Sequence, residues 1–522
     1  MKTLFYGGPI LTLSDPLYAE ALLIDGDRIA AVGKEANLRP LADSCVNLKG
    51  ATLMPGFIDA HSHITEYAIA SLECNLDGIT DFETLKATIQ AYIAANHIAD
   101  GQWVVARNYE HNLFPGGQKL TLEQLDSICP QHLLLIKHIS CHMGLVNSTL
   151  LDAFGITAET PPPRGGRYVV EQGRLTGCVE ESACTAIRMK VPLPPMEVLC
   201  AAHGRMQEHY ASYGITTVQD GYLNDYMIDL YRRLLASDQL HLDLIAYAHL
   251  PHYERQKAAF STLPASSRVR IGGIKQFLDG EISVQSGWLR EPYLDTDAYC
   301  GYPMRTDDEV LQTMAYAATH QLQIIYHSTG DAANAQFIRC LETAEKTYPQ
   351  LKDLRPTLIH ALLMDKPMLD QAAQLGAVIS FFGAQSYYWC DAYLRLLGPE
   401  RTRKICPLRT ALNCGTRFNL HQDSPLIEPD MLETVWCAAT RVTREGVSLA
   451  EEAIPVLDAL RAVTLHAAYQ YFEEDRKGSL EPGKLADFIL LSQDPLQTNP
   501  NDLRDIRVLA TYKDGACIYQ RP

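Results

Sequence analysis

The sequence contains no long apolar run, no excess of basic residues and no closely spaced pair of cysteines. Its apolar stretches are short, residues 57–60 among them, whereas a bilayer-spanning helix needs about 20 consecutive apolar residues. Acidic residues outnumber basic ones by 62 to 45, which gives a formal net charge of -17 at pH 7. Nucleic acids and anionic membranes bind basic surfaces, so the charge argues against both as partners.

The fourteen cysteines form neither a C-x-x-C motif nor a regular framework. This scatter is typical of free thiols in a reducing compartment, and we expect Cys141, Cys178 and Cys184 to be packing residues. The N-terminus also lacks the basic region, apolar stretch and small-residue cleavage site of a secretory signal peptide. We therefore expect a cytoplasmic protein.

The two ends of the chain have the same β-rich texture. At 522 residues, with 47% apolar and 20% charged residues, the chain is globular and long enough for at least two domains, although a large α/β barrel could take up most of it. Apolar and polar residues alternate between turn signals near the start, and again near the end in ADFILLSQDP. We predict a small composite β-sandwich domain built from residues 1–56 and 467–522.

The long middle of the chain alternates helical stretches with short apolar runs, most of which stop at a polar or charged residue. Strands that alternate with helices indicate a parallel sheet, and eight strands are the number in a closed (β/α)8 TIM barrel. We predict an α/β fold whose barrel comprises residues 57–72 and 191–466. The eight predicted strands are FIDAH, GITTVQD, LDLIAYA, IGGIKQFLD, LQIIYH, PTLIH, GAVISF and FNLHQD.

The interval after the first predicted strand is too long for one βα unit, which needs about 30 or more residues. Its turn-rich segment PPPRGGRYVVEQGRLTG is typical of a β-hairpin rather than of a barrel helix. We predict that residues 73–190 form an inserted β-rich cap domain. The insertion should lie over the barrel mouth and influence the choice of substrate.

Two histidines one residue apart, His61 and His63, follow the first predicted strand in MPGFIDAHSHITEY. In an extended chain, residues two apart project from the same face, so both imidazoles can reach one point. That arrangement suits a metal ion, but short histidine pairs are also common on protein surfaces. The rest of the sequence is needed to distinguish a metal site from a surface histidine pair.

Four further groups lie within or at the ends of later strands: Lys275, His327, His360 and Asp423. Alone, each histidine would more often be a hydrogen-bonded core residue, and Asp423, before a Ser-Pro pair, could cap a helix or form a turn. A lysine inside an apolar strand loses its hydration unless the amine is neutralised, paired or modified. All of these groups fall toward the rim of the barrel that holds active sites. Imidazoles and carboxylates gathered there favour zinc or a similar divalent ion.

Several motifs together resemble the amidohydrolase superfamily, and specifically its branch of YtcJ-like proteins and N-substituted formamide deformylases. They are PGFIDAHSH, HQDSP and GSLEPGKLADFILL, joined by the strand lysine and the two single histidines. The segments LTLEQLDSICPQHLLLIKHISCHMGLVNSTLL and GIKQFLDGEISVQSGWLREPY are also similar to that branch. The resemblance therefore extends over nearly the whole chain.

The resemblance implies a metal centre with six protein ligands: His61, His63, Lys275, His327, His360 and Asp423. In this arrangement the closely spaced histidines and the aspartate bind one ion, and the two single histidines bind a second. The lysine, if carboxylated by carbon dioxide, would bridge the two ions as a carbamate. Because the branch includes proteins described with one metal, the implied cofactor is one or two divalent ions, most plausibly zinc.

The reaction implied by the resemblance is metal-assisted hydrolysis of a C-N bond in a small amide, N-formyl compound or cyclic amide. Asp423 would accept a proton from water and then donate it to the leaving nitrogen. His142, in the insertion, resembles a position that reaches the substrate, with a structural loop histidine as the alternative. Asp279 and Asp331 could orient ligands from behind.

Two other functions stay open at this point. The same barrel can host a metal-dependent deaminase, decarboxylase or isomerase, because fold does not fix the reaction. The chain could also be a non-catalytic regulatory or binding protein, although a full ligand set with a proton-transfer aspartate favours an enzyme. The expected partner is a small-molecule substrate rather than nucleic acid or membrane, and a homodimer is the assembly to test.

Overall fold

The structure is a computed structural model that describes residues 1–139, 143–163, 166–264 and 267–522. The chain divides into two compact units, one formed by Met1–Thr65 and Gly204–Pro522 and the other by Glu66–His203. Within the described ranges, every helix is too short or too polar to cross a membrane. In chain order the strands are β1 (Lys2–Leu11), β2 (Tyr18–Asp25), β3 (Arg28–Gly33), β4 (Ser44–Asn47), β5 (Thr52–Pro55), β6 (Phe57–Asp59), β7 (Cys74–Asn75), β8 (Trp103–Tyr109), β9 (Leu133–His138), β10 (Met143–Val146), β11 (Gly166–Glu171), β12 (Arg174–Glu181), β13 (Ile215–Leu223), β14 (Asp243–His249), β15 (Val269–Phe277), β16 (Gln323–Ser328), β17 (Thr357–His360), β18 (Val378–Phe381), β19 (Arg417–Leu420), β20 (Phe488–Leu491), β21 (Val508–Lys513) and β22 (Ala516–Gln520).

Several helices begin at residues whose side chains satisfy free backbone N–H groups. Thr306 accepts from the Glu309 N–H, and the Glu309 carboxylate accepts from the Thr306 N–H, which forms a capping box. Asp365 caps another helix by accepting from the Met368 N–H at 2.9 Å. In chain order the α-helices are α1 (Glu35–Leu38), α2 (Ile64–Ala70), α3 (Phe82–Ala95), α4 (Leu122–Ile128), α5 (Ser148–Ala153), α6 (Ser182–Arg188), α7 (Met196–Ser212), α8 (Asp225–Ala236), α9 (Tyr253–Phe260), α10 (Asp307–Thr319), α11 (Asp331–Glu345), α12 (Lys366–Gln374), α13 (Gln385–Tyr388), α14 (Cys390–Leu397), α15 (Pro399–Thr402), α16 (Leu408–Cys414), α17 (Met431–Thr440), α18 (Val456–Ala462) and α19 (Leu465–Gln470).

Eight parallel strands form the predicted barrel, in the order β19-β18-β17-β16-β15-β14-β13-β6. Each of the eight apolar runs in the sequence coincides with one of these strands, so the predicted fold class is confirmed. Gln470 links β6 and β19, the first and last strands of this order. Its amide donates to the carbonyl of Ala60, beyond β6, at 2.9 Å and accepts from Asn419 on β19 at 2.7 Å.

Apolar side chains from four of the barrel strands form a buried cluster. Ile58, Ile245, Ile325 and Ile359 are buried in one cluster, together with Tyr471 from the segment after α19. Alternation along each strand sends neighbouring side chains to opposite faces. The residues that follow the strands are thereby left at the carboxyl rim, where polar groups can meet.

Strands from both termini form a second sheet, in the order β22-β21-β20-β5-β1-β2-β3, with β4 paired to β1. β20 runs antiparallel to β5, which ties the last part of the chain to the first. Phe488 lies in the core of this sheet, with its ring centroid 4.9 Å from that of Phe5 and 4.5 Å from that of Tyr512. The composite domain predicted from the matched ends is therefore confirmed as part of the fold.

The unit formed by Glu66–His203 contains a six-stranded sheet in the order β11-β12-β10-β9-β8-β7. The predicted hairpin is present as the antiparallel pair β11 and β12, whereas β7, β8 and β9 are parallel to one another. The predicted boundaries of the three domains and the position of the insertion over the barrel mouth stay predictions.

We predict that Phe488→Ala lowers the free energy of unfolding by about 3 to 5 kcal/mol, because a fully buried aromatic ring is replaced by a cavity. Thermal and urea unfolding of the wild type and the variant would measure the loss. Leu41→Ala is the matched control, since Leu41 is 54% exposed and its truncation should have little effect. Equal stability of Phe488→Ala and Leu41→Ala would contradict a composite core shared by the two ends.

Candidate metal centre

Two backbone hydrogen bonds bring Asp423 beside the histidine pair. The Asp423 N–H donates to the His61 carbonyl at 3.0 Å, and the His63 N–H donates to the Ser424 carbonyl at 2.9 Å. The segments after the first and last barrel strands therefore run side by side. As a result, one Asp423 carboxylate oxygen lies 3.6 Å from Nε2 of His61 and 3.4 Å from Nε2 of His63.

The two single histidines lie on adjacent strands at the same rim. His360 is the last residue of β17, and its Nε2 is 3.7 Å from the other carboxylate oxygen of Asp423. β16 runs parallel to β17 with Ser328 opposite His360, so His327 is the neighbour of that pair. The rings of His327 and His360 have centroids 4.7 Å apart.

Lys275 projects from β15 into the same cluster. Its amine nitrogen is 3.2 Å from Nε2 of His61, and the residue is 1% exposed. Burial lowers the pKa of Lys275 to about 7, although the Asp423 carboxylate opposes the shift. Near neutral pH a large fraction of this amine is therefore uncharged, the form that can react with carbon dioxide.

The spacing of these donor atoms fits a divalent metal ion. Ligand atoms around tetrahedral zinc, with bonds of about 2.0 to 2.2 Å, lie about 3.3 to 3.6 Å from one another. The four distances given above are 3.2 to 3.7 Å: one from Nζ of Lys275 to Nε2 of His61, and three from Asp423 carboxylate oxygens to histidine Nε2 atoms. His61, His360 and Asp423 in particular offer ligand atoms that all lie within 4.8 Å of one another.

The protonation states also suit metal binding, which requires neutral imidazoles and an ionised carboxylate. Burial lowers the pKa of His61 and of His360 well below the usual histidine value. Burial alone would raise the pKa of Asp423, but the surrounding histidines lower it well below the usual carboxyl value. His63 is the exception: burial lowers its pKa, but the hydrogen bond with Asp423 and the charges of Asp423 and Asp220 together raise it.

Gln219 fixes the orientation of the His61 ring. Its amide nitrogen donates to the Ala60 carbonyl at 2.8 Å, which leaves the amide oxygen to accept from Nδ1 of His61. With the proton on Nδ1, the lone pair of Nε2 faces Asp423. Sequence reasoning missed Gln219, and the available signal was an amide side chain directly before Asp220 near the end of the strand run GITTVQD.

His421 contacts the back of His360. Nε2 of His421 is 3.2 Å from Nδ1 of His360, while Nδ1 of His421 is 2.8 Å from the hydroxyl of Ser380. Burial lowers the pKa of His421 to about 3, so the ring stays neutral. Sequence reasoning did not single out His421, although it lies two residues before Asp423 in HQDSP.

The remaining predicted site residues lie in different surroundings. Asp279 accepts N–H groups from Trp288, Thr329 and Gly330 at 2.8 to 2.9 Å, and one of its oxygens is 3.9 Å from Nδ1 of His327. Burial raises the pKa of Asp279 to about 7. The Asp331 carboxylate accepts from the backbone N–H of Arg290 at 2.9 Å, at the start of α11. His142 lies outside the described residues, so its predicted role stays a prediction.

The comparisons with known proteins agree with this geometry. A sequence profile of the amidohydrolase family matches residues 44–519. The chain is 27% identical to the N-substituted formamide deformylase of Arthrobacter pascens, over 96% of this chain and 95% of the relative, and 25% identical to the putative amidohydrolase YtcJ of Bacillus subtilis over the full length of both. An uncharacterized metal-dependent hydrolase from Pyrococcus horikoshii has the same fold, with a TM-score of 0.79, 21% identity, and coverage of 96% of this chain and 99% of the other. The chain belongs to the amidohydrolase family.

We predict that Gly221→Ala disrupts the histidine pair, because Gly221 packs against both rings. A methyl group at this position would lie 2.5 Å from Cε1 of His61 and 2.9 Å from Cε1 of His63. Elemental analysis of the purified variant should show reduced metal content. Gly204→Ala is the matched control, since a methyl group there meets no atom within 4 Å. Full metal content in Gly221→Ala would contradict the assignment of this histidine pair as ligands.

Proposed function

We propose that this protein hydrolyses a C-N bond in a small amide, N-formyl compound or cyclic amide. The observation that carries the proposal is an ionised Asp423 held 3.4 to 3.7 Å from three imidazoles at the rim of the barrel. Membership of the amidohydrolase family supports hydrolysis. The C-N bond is supported by the relative named an N-substituted formamide deformylase.

The proposal includes a divalent metal cofactor, zinc, held by the six residues predicted from the sequence. His61, His63 and Asp423 would hold one ion and His327 and His360 a second, and Lys275, if carboxylated, would be shared by the two. When bound, such an ion lowers the pKa of water and polarises the carbonyl group that water attacks. The low pKa values of His61 and His360 support this assignment, because only neutral imidazoles bind metals.

Asp423 performs the proton transfers in this proposal. It takes one proton as the water oxygen bonds to the substrate carbonyl carbon, and it donates that proton to the nitrogen as the C-N bond breaks. Its low pKa keeps it ionised before the reaction, as a proton acceptor must be. Gln219 and His421 hold His61 and His360 in place while Asp423 changes its protonation state.

The substrate class is tested by a screen of N-formyl amines, N-acyl amines and cyclic amides with zinc-supplied protein. We expect release of an amine, or ring opening, for at least one of these classes. Asp423→Asn protein, purified in the same way, gives the background rate for every compound. Folded, metal-containing protein that hydrolyses none of the three classes would overturn the proposed C-N specificity.

We predict that Asp423→Asn lowers the rate on any substrate found by at least about 10²- to 10⁴-fold, the usual contribution of general acid-base catalysis. The amide keeps the size of the carboxylate and offers an oxygen to a metal, but it cannot accept the proton. The rate constant kcat and the metal content would be measured together.

The control for this prediction is Asp430→Asn. Asp430 caps α17 by accepting from the Glu433 N–H at 3.0 Å. Because asparagine caps a helix as well as aspartate does, the activity of the Asp430→Asn variant should be unchanged. If Asp423 served only as a turn former, Asp423→Asn would behave like Asp430→Asn. Near wild-type activity in Asp423→Asn, with normal metal content, would remove Asp423 from the mechanism.

A further inference from the structure

A second cluster of metal-ligand side chains lies within the unit formed by Glu66–His203, outside the barrel. Glu110 follows β8, His111 begins a short 3-10 helix, and His138 is the last residue of β9. One donor atom from each of the three lies within 4.8 Å of the other two. No role in the proposed reaction uses these residues.

Strand pairing brings these residues together although 28 positions separate Glu110 from His138. β8 and β9 are parallel, with Tyr109 opposite His138 after an irregularity in the pairing that follows Ala106. The N–H of Ile139 donates to the Tyr109 carbonyl at 2.9 Å, so both strands end at the same level. Glu110 and His111 then lie beside the end of β9.

The three donor atoms form a triangle of the size that a metal ion requires. Nδ1 of His111 is 3.0 Å from Nε2 of His138, and one Glu110 carboxylate oxygen lies 3.6 Å from the first nitrogen and 3.5 Å from the second. Three corners of a zinc tetrahedron are separated by about 3.3 to 3.6 Å. The 3.0 Å approach of the two nitrogens is a hydrogen bond in which one ring donates, and metal binding would require that ring to carry its proton on its other nitrogen.

The surroundings of the triangle suit a cation. The side chain of His138 is 9% exposed, whereas those of Glu110 and His111 are each 23% exposed, so an ion and a coordinating water have access from solvent. Burial and the neighbouring His138 lower the pKa of His111, which favours the neutral ring. Lys119, a nearby cation, lies 3.6 Å from a carboxylate oxygen of Glu180.

The geometry points to a second divalent-metal site, formed by Glu110, His111 and His138 and separate from the barrel centre. Two imidazoles and one carboxylate are a common ligand set for zinc and chemically similar ions, with water in the fourth position. This inference does not depend on the proposed function, because Glu110, His111 and His138 have no role in the proposed reaction.

The test is a zinc titration of the full chain against a chromophoric chelator, with elemental analysis of the dialysed protein. His111→Asn and Glu110→Gln are the test variants, because both side chains are partly exposed and the replacements are similar in size. His97→Asn is the matched control: His97 is an exposed histidine of the same unit, and asparagine tolerates its positive φ of 52°. Circular dichroism of each variant verifies folding.

We expect His111→Asn and Glu110→Gln to bind one equivalent of zinc fewer than the wild type and His97→Asn. Adding His111→Asn to a His61→Ala/His63→Ala chain should remove one further equivalent, because the two centres are separate. Equal zinc binding by wild type, His97→Asn, His111→Asn and Glu110→Gln would overturn the inference and leave the three residues as a hydrogen-bonded structural cluster.

Discussion

The contact between the segments that follow the first and last barrel strands is the constraint on which the site depends. The hydrogen bond from the Asp423 N–H to the His61 carbonyl places a carboxylate among imidazoles at the point where the two ends of the barrel sheet meet. Burying an ionised carboxylate costs several kcal/mol unless opposite charge or hydrogen bonds compensate. The hydrogen bond from His63, and a cation when one is bound, supply that compensation.

Two of the site residues have a left-handed backbone conformation. His360 and Asp423 have φ values of 69° and 59°, in the left-handed region that side chains with a Cβ seldom adopt. Each such residue costs on the order of 1 to 3 kcal/mol and persists only where its surroundings hold it. Here the hydrogen bond from the Ala361 N–H to the Ser328 carbonyl, at 2.9 Å, helps to hold the chain after β17. In this conformation His360 Nε2 lies 3.7 Å from a carboxylate oxygen of Asp423.

Sequence reasoning found the barrel because short apolar runs that alternate with helices leave few other arrangements. The six predicted ligands also lie where expected, at the carboxyl rim, since each is within or next to a recognisable strand. The strand FIDAH, however, ends at Asp59, and His61 and His63 converge through their backbone contact with the last strand rather than through extended geometry. That contact joins residues more than 300 positions apart, and no local pattern encodes it.

The groups that orient the ligands were harder to predict for the same reason. Gln219 and His421 act through side chains on other strands, and a polar residue in a strand run does not reveal its partner. The Glu110, His111 and His138 cluster depends on the pairing of β8 with β9 in a region predicted only as a β-rich insertion. The hairpin of β11 and β12 was predictable there because its turn is local.

The most direct test of the central claim, that the carboxyl rim of the barrel is a metal centre, is anomalous diffraction at the zinc absorption edge from crystals of zinc-supplied protein. We expect an anomalous peak about 2.0 to 2.2 Å from Nε2 of His61, Nε2 of His63 and a carboxylate oxygen of Asp423. Crystals of catalytically active protein with no anomalous peak beside these three residues would contradict it.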